Sequence, residues 1–178
     1  MRHVTHREER KENKMTVKEY QPNPADLLLL AEDLAGEEEA LVQAIEDMDA
    51  LADGDPGQAQ VRSALAERLE EIRKKRPLTQ SEAEEALNGY TPSEVKEMKE
   101  HAYLLSLAKR YVIALETLPV LEGITAELPP GPQRERAAME TERATALIRT
   151  ASTVLPEGYA EKARALIMPD GIGKEEQE

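Results

Sequence analysis

Apolar residues recur at helical spacing along most of the chain. In the segment 37–52, Leu41, Ile45 and Met48 follow one another at intervals of four and three residues, which places them on one face of a helix. Stretches with a similar stripe lie at 24–35, 61–72, 91–118, 133–155 and 157–167. The order of elements typical of a parallel sheet is missing. We therefore predict an all-α fold, an antiparallel bundle of five to seven helices.

Two helix starts have clear signals in the sequence. Asn23 precedes Pro24, which is the order of a cap residue and a proline at the first helical position. Thr91 precedes Pro92 and stands three residues before Glu94, which is the order of a capping box. We therefore predict that helices begin at these two positions.

Prolines also predict where helices end, because a proline cannot donate the helical hydrogen bond and clashes with the preceding turn. Pro77 follows an amphipathic stretch that closes with the basic residues 73–76, so we expect that helix to end near residue 75. A short helix should follow over 81–87. Pro119 should likewise end the long helix that begins at Pro92.

The chain length of 178 residues suits one domain with one core. We expect residues 1–19 to form a disordered extension, residues 20–168 to form a single helical domain, and residues 169–178 to form a flexible acidic tail. The proline-rich segment 129–132 is a candidate boundary inside the domain. Met15 is a candidate alternative start.

The composition excludes several classes of site. The chain has no Cys, Phe or Trp, so disulfides, zinc–thiolate centres and cysteine nucleophiles are excluded. Aromatic platforms for single-stranded nucleic acid are also poor. The apolar run that begins at Leu27 is interrupted by Glu32 and Asp33, too early for a membrane span. The first residues have no secretory signal, and we expect a cytoplasmic protein.

Negative charge is concentrated in one block of the sequence. The formal net charge is −13, and residues 19–61 hold twelve of the 36 acidic residues and no Lys or Arg. Such a block should repel nucleic acid and anionic lipid and could attract a basic protein surface. The alternative is a solvated face that keeps the protein soluble. The residues of the predicted docking face are Glu37, Glu38, Glu39, Glu46, Asp47 and Asp49.

The aspartate-rich segment 46–60 is interpreted as a corner between two helices rather than as a calcium loop. A calcium loop needs oxygen ligands at its first, third and fifth positions and a glutamate at its twelfth. A loop that starts at Asp49 would have Leu51 at the third position and Gln60 at the twelfth. We therefore predict no metal site, and we expect Gly54 to end the first helix.

Residues 79–100 resemble a helix-turn-helix, the motif whose second helix enters the major groove of DNA. They contain a short apolar stripe, a glycine in the turn and a capped second helix. Glu94, Glu97 and Glu100 depart from the motif, because acidic groups are poor neighbours for phosphate. The DNA contacts that the resemblance implies are Arg73, Lys74, Lys75, Arg76, Ser93, Lys96 and Lys99.

No set of residues in the sequence forms a complete catalytic site. Ser93 and Lys96 have the spacing of a lysine-activated serine, but no Lys-Thr-Gly accompanies them. Glu97, Glu100 and His101 resemble part of a di-iron site, yet the second Glu-x-x-His that such a site needs is missing. Glycine-rich phosphate loops are missing too. We therefore expect no enzyme, no metal and no cofactor.

The favoured hypothesis is a protein that binds other proteins, as an adaptor, scaffold or regulator, and that associates with itself. The acidic face is the predicted contact with a basic partner, and no membrane partner is expected. The predicted contact between copies is a seam of small and apolar residues, Ala137, Ala144, Ile148, Ala151 and Leu155. The alternative is a helix-turn-helix DNA-binding protein, either a transcriptional regulator or a viral packaging component.

Overall fold

The computed structural model describes residues 23–51 and 56–168, which form five α-helices. They are α1 (Pro24–Ala50), α2 (Pro56–Ala86), α3 (Pro92–Glu127), α4 (Pro132–Val154) and α5 (Tyr159–Ile167). No strand occurs in these residues, and the prediction of an all-α fold is confirmed. The predicted extension, the helix end at Gly54 and the predicted tail lie outside the described residues. Within the described helices, no stretch has both the length and the hydropathy of a membrane span.

Helix α3 supports the rest of the described structure. α1 packs along α2, α4 packs along α3, and both α1 and α5 pack on α3. Asp33 of α1 forms an ion pair with Lys109 of α3, and Gly36 lies against Arg110 one turn further along. α1 and α3 therefore run in the same direction, whereas α2 folds back on α1 and α4 folds back on α3.

The buried apolar residues form two clusters along α3. The first joins α1, the end of α2 and the start of α3, and consists of Leu27, Leu28, Ala83, Leu87 and Ala102. The second joins the middle of α3 to α5, and consists of Leu105, Ala108, Val112 and Ala163. α3 therefore contributes buried residues to both clusters, as expected for a central helix.

Both predicted helix starts are confirmed. The Asn23 side chain accepts a hydrogen bond from the backbone N–H of Ala25 at 3.1 Å. At the start of α3, the Thr91 hydroxyl accepts from the backbone N–H of Glu94 at 3.4 Å, and the Glu94 carboxylate accepts from the backbone N–H of Thr91 at 2.8 Å. This bond from the Thr91 backbone holds the pKa of Glu94 below its ordinary value, so the capping box stays ionised at neutral pH.

The predicted helix end at Pro77 is wrong. α2 continues through Pro77 to Ala86, so residues 81–87 do not form a separate helix. Pro77 is exposed, and the carbonyl that it deprives of a helical donor can therefore bond to water. Ile72 and Thr79 are buried on either side of it, and this packing outweighs the loss of one hydrogen bond.

The predicted helix end at Pro119 is also wrong, because α3 continues through it to Glu127. Pro119 is exposed as well. The turns that follow it pack against α4, where the hydroxyls of Thr125 and Thr141 lie 3.3 Å apart. The contact with α4 therefore stabilises the two helical turns of α3 that follow Pro119.

Candidate functional site

The predicted acidic face of α1 is largely paired with arginines of α2. Arg68 donates to Glu37 at 2.8 Å. Arg73 and Arg76 donate to the two oxygens of Glu38 at 3.1 and 2.8 Å. The structure thus brings part of the predicted acidic surface together with part of the predicted DNA-contact cluster, and each neutralises the other.

The pairing continues towards the end of α1. Arg62 donates to both oxygens of Asp49, at 2.5 and 2.9 Å. Within the described residues, the one hydrogen bond to Glu46 is a long one of 3.5 Å from Gln43, and Glu39 lies 3.8 Å from Arg110. Glu39 and Glu46 are therefore the members of the predicted docking face that remain open to a basic partner.

Asp47 has a different position from the rest of the acidic face. Its side chain points into the protein and the residue is only 4% exposed. Arg143 of α4 donates hydrogen bonds to both carboxylate oxygens, one of them at 2.6 Å. Gln43 donates to the same carboxylate at 3.3 Å. Asp47 therefore ties α1 to α4 and does not face solvent.

The arginine contacts shift the pKa values of these acids in one direction. The hydrogen bond from Arg76, followed by that from Arg73, holds the pKa of Glu38 below its ordinary value. Arg62 does the same for Asp49, and Arg143 does the same for Asp47 against the opposing effect of burial. All three acids are therefore ionised at neutral pH.

The residues of the helix-turn-helix hypothesis are only partly free. Lys74 pairs with Glu70 at 2.7 Å on its own helix, and the Ser93 hydroxyl lies 3.5 Å from Glu97. Within the described residues, no ion pair involves Lys75, Lys96 or Lys99. These three lysines and Ser93 are exposed.

The segment around Gly89 agrees with a helix-turn-helix in its turn and differs from it in its first helix. Gly89 adopts a left-handed backbone with φ of 103°, as a tight turn requires. The preceding helix has 31 residues instead of being short. Leu87 at its end is buried in the first apolar cluster.

His101, the histidine considered for metal binding, has a structural partner. His101 Nδ1 lies 2.7 Å from the Tyr159 hydroxyl, and the two rings meet edge to face. This contact fastens α5 to α3. Within residues 23–51 and 56–168, no group of three or more His, Asp or Glu side chains is arranged to hold a metal ion.

The C-terminal end of the small-residue seam of α4 packs within the chain. Ala151 is fully buried, and Leu155 packs beside the second apolar cluster. Ala144 faces α1 and α3 across a groove. Ala151 and Leu155 are therefore not available to a second copy, and a contact between copies at this end of α4 would need another surface.

Such a surface lies on the second half of α3. Ile113, Val120 and Ile124 are 47%, 61% and 44% exposed, and with Thr117 they follow one another at intervals of four, three and four residues. We call these four residues the α3 row. The Thr117 hydroxyl donates to the backbone carbonyl of Ile113 at 2.9 Å, so its hydrogen-bonding needs are met within the helix.

Ile113 and Thr117 of the α3 row line a groove of about 580 Å³ between α1, α3 and α4. The groove has an apolar floor that includes Ala114, Leu121 and Leu147, and a polar rim that includes Glu39, Arg110 and Arg143. Sequence analysis missed this surface because it ended the helix at Pro119, between Thr117 and Val120. The spacing of the row was the signal that could have revealed it.

Comparison with protein-family models, curated proteins and solved structures finds no match to the chain. The function must therefore be argued from the geometry and charge of the described residues.

Proposed function

We propose that the chain is a helical protein–protein interaction module, an adaptor, scaffold or regulator, that also associates with itself. Its binding surface is the α3 row together with the adjoining groove. The observation that carries the proposal is the exposure of Ile113, Val120 and Ile124 along one line of a helix. An apolar strip with a polar rim is typical of sites where another helix docks.

The distribution of charge supports apolar rather than electrostatic docking. Glu37, Glu38 and Asp49 have arginine partners on α2, so little of the acidic face is left for a basic partner. Glu39 and Glu46 could still contact basic residues at the rim of an interface. A rim charge contributes more to the rate of association than to affinity.

Affinity purification from the native host tests this proposal. The wild-type chain is compared with Val120→Asp/Ile124→Asp, and Leu78→Asp serves as the control because Leu78 is 66% exposed on α2, outside the row. We expect the row variant to lose bound protein and the control to keep it.

The salt dependence of the same purification distinguishes docking through the α3 row from docking through the acidic face. Retention through the α3 row should survive a wash of about 1 M salt, at which the Debye length falls to about 3 Å. A partner that the row variant keeps, and that high salt removes, would contradict docking through the row and favour the acidic face.

DNA binding through residues 79–100 is the second candidate. One observation favours it: Arg76 and Lys99 line the same groove of about 240 Å³ between α1, α2 and α3. Glu32 and Glu84 line that groove as well, which opposes phosphate binding. A gel shift with mixed duplex DNA at low salt, repeated with Lys96→Glu/Lys99→Glu, would support this candidate only if the wild type shifts and the variant does not.

A further inference from the structure

We infer that the α3 row binds the same row of a second copy of the chain, with the two α3 helices antiparallel about a twofold axis. This inference rests on the proposed interaction function and names its partner. Three observations carry it: the symmetric spacing of the row, the charges at its two ends, and the exposure of this part of α3.

The spacing of the row is the same when read in either direction. Its intervals of four, three and four residues are those of one seam of a two-stranded coiled coil. In an antiparallel pair centred between Leu118 and Pro119, Ile113 meets Ile124 of the second copy. Thr117 meets Val120 of the second copy. Each large apolar residue therefore finds an apolar or methyl-bearing neighbour.

The charges at the ends of the row are complementary in the same register. Arg110 lies three residues before Ile113 and Glu127 lies three residues after Ile124, so Arg110 of one copy meets Glu127 of the other, twice per dimer. Among the described residues, Glu127 has no ion pair, and Arg110 has one long contact of 3.8 Å, to Glu39. A parallel pair would instead put like charges together at each end.

Among the described residues, no helix covers Val120 and Ile124, and Ile113 and Thr117 line the groove that α3 shares with α1 and α4. α5 ends at Ile167 and packs beside Val112, so it does not extend over the α3 row. α4 lies on another side of α3, where Thr141 meets Thr125. The side that carries Val120 and Ile124 is left to solvent.

Analytical ultracentrifugation over a range of concentrations measures the association. We expect a dimer for the wild type and for the control Leu78→Asp. Val120→Asp should raise the dimer dissociation constant at least tenfold, because the carboxylate would be buried opposite Thr117 without a partner. Circular dichroism checks that each variant keeps its helices. A wild type that stays monomeric at every concentration would overturn the inference.

Charge reversal tests the register. Arg110→Glu and Glu127→Arg should each raise the dissociation constant several-fold, and the double variant should return it towards the wild-type value. A general loss of stability would not be reversed in this way. If both single variants weaken the dimer and the double variant weakens it further, then Arg110 and Glu127 do not pair.

Cysteine crosslinking tests the direction of the helices, since the natural chain has no cysteine. Oxidation of an equal mixture of Ile113→Cys and Ile124→Cys should join one variant to the other. Neither variant should crosslink to itself, because like positions would be about 16 Å apart along the axis and a disulfide spans less than about 7 Å between Cα atoms. Crosslinks within each variant would indicate a parallel pair and overturn the inference. If the wild type is monomeric but the Val120→Asp/Ile124→Asp variant loses a host protein, self-association is withdrawn and the proposed interaction with other proteins through the α3 row still stands.

Discussion

Arg143→Met tests how strongly the buried ion pair between α1 and α4 stabilises the protein. Arg143 holds both oxygens of Asp47, and Gln43 is the other side-chain donor to this carboxylate in the described structure. Methionine keeps much of the volume of the arginine stem and removes all its donors. The variant therefore leaves an ionised carboxylate in a site where the residue is 4% exposed.

The size of the effect follows from the burial of the two partners. Removing one partner of a fully buried pair costs about 3–5 kcal/mol. The Arg143 side chain is 34% exposed, so water can reach part of the space that it leaves, and we expect a loss of about 2–3 kcal/mol in the free energy of unfolding. Asp47→Ala should cost less, about 1 kcal/mol, because the freed guanidinium is hydrated and keeps Glu140 at 3.2 Å.

The double variant gives the sharpest prediction. Asp47→Ala/Arg143→Met has no unpaired buried charge, so it should be more stable than Arg143→Met alone, although it carries one more substitution. Urea unfolding followed by circular dichroism at 222 nm measures the three values. With a slope of about 2 kcal/mol per molar urea, Arg143→Met should lower the midpoint by about 1–1.5 M. Equal losses for the two single variants, or a double variant less stable than both, would refute the argument.

Three further predictions concern the same folded state. Because Arg143 lowers the folded pKa of Asp47, the stability from this pair is present above the ordinary Asp pKa and is lost as pH falls through the lowered value. Urea unfolding at a series of acidic pH values should therefore show the free energy of unfolding falling once pH drops below the ordinary Asp pKa, less steeply in Arg143→Met. Pro77→Ala should raise the melting temperature by restoring a helical donor, with a gain of about 1–3 kcal/mol, and a lower melting temperature would contradict a continuous α2. Gly36→Ala should stabilise by about 0.5 kcal/mol in urea unfolding, since its new Cβ would meet only the flexible Arg110 side chain at 3.2 Å; a loss above about 1 kcal/mol would show that Arg110 cannot move.

The fold class and the helix starts could be predicted because their signals are local. A cap at Asn23 and a capping box at Thr91 need only a few consecutive residues, and both are present. The helix ends at Pro77 and Pro119 could not be predicted in the same way. Whether a helix survives a proline depends on packing of the turns around it, and those contacts come from α1 and α4, which are distant in sequence.

The ion pairs of the acidic residues could not be predicted from the number of charges in one segment, for the same reason. Residues 19–61 contain no basic residue, so their acids appear unpaired when the segment is considered alone. Their partners lie 13 residues away for Asp49, 38 for the Arg76 bond to Glu38 and 96 for Asp47. The hairpin of α1 and α2 and the docking of α4 bring them together.

This internal pairing bears on where a partner can bind. A carboxylate that already accepts hydrogen bonds from arginine gains little from a second cation, because it would exchange one charged partner for another. An exposed isoleucine or valine has no such competing partner and gains about 25 cal/mol for each Å² of apolar area that it buries. Because the hairpin of α1 and α2 neutralises the acidic block, we expect the binding energy to come from Ile113, Val120 and Ile124. These residues lie on both sides of Pro119, where the sequence predicted a helix end.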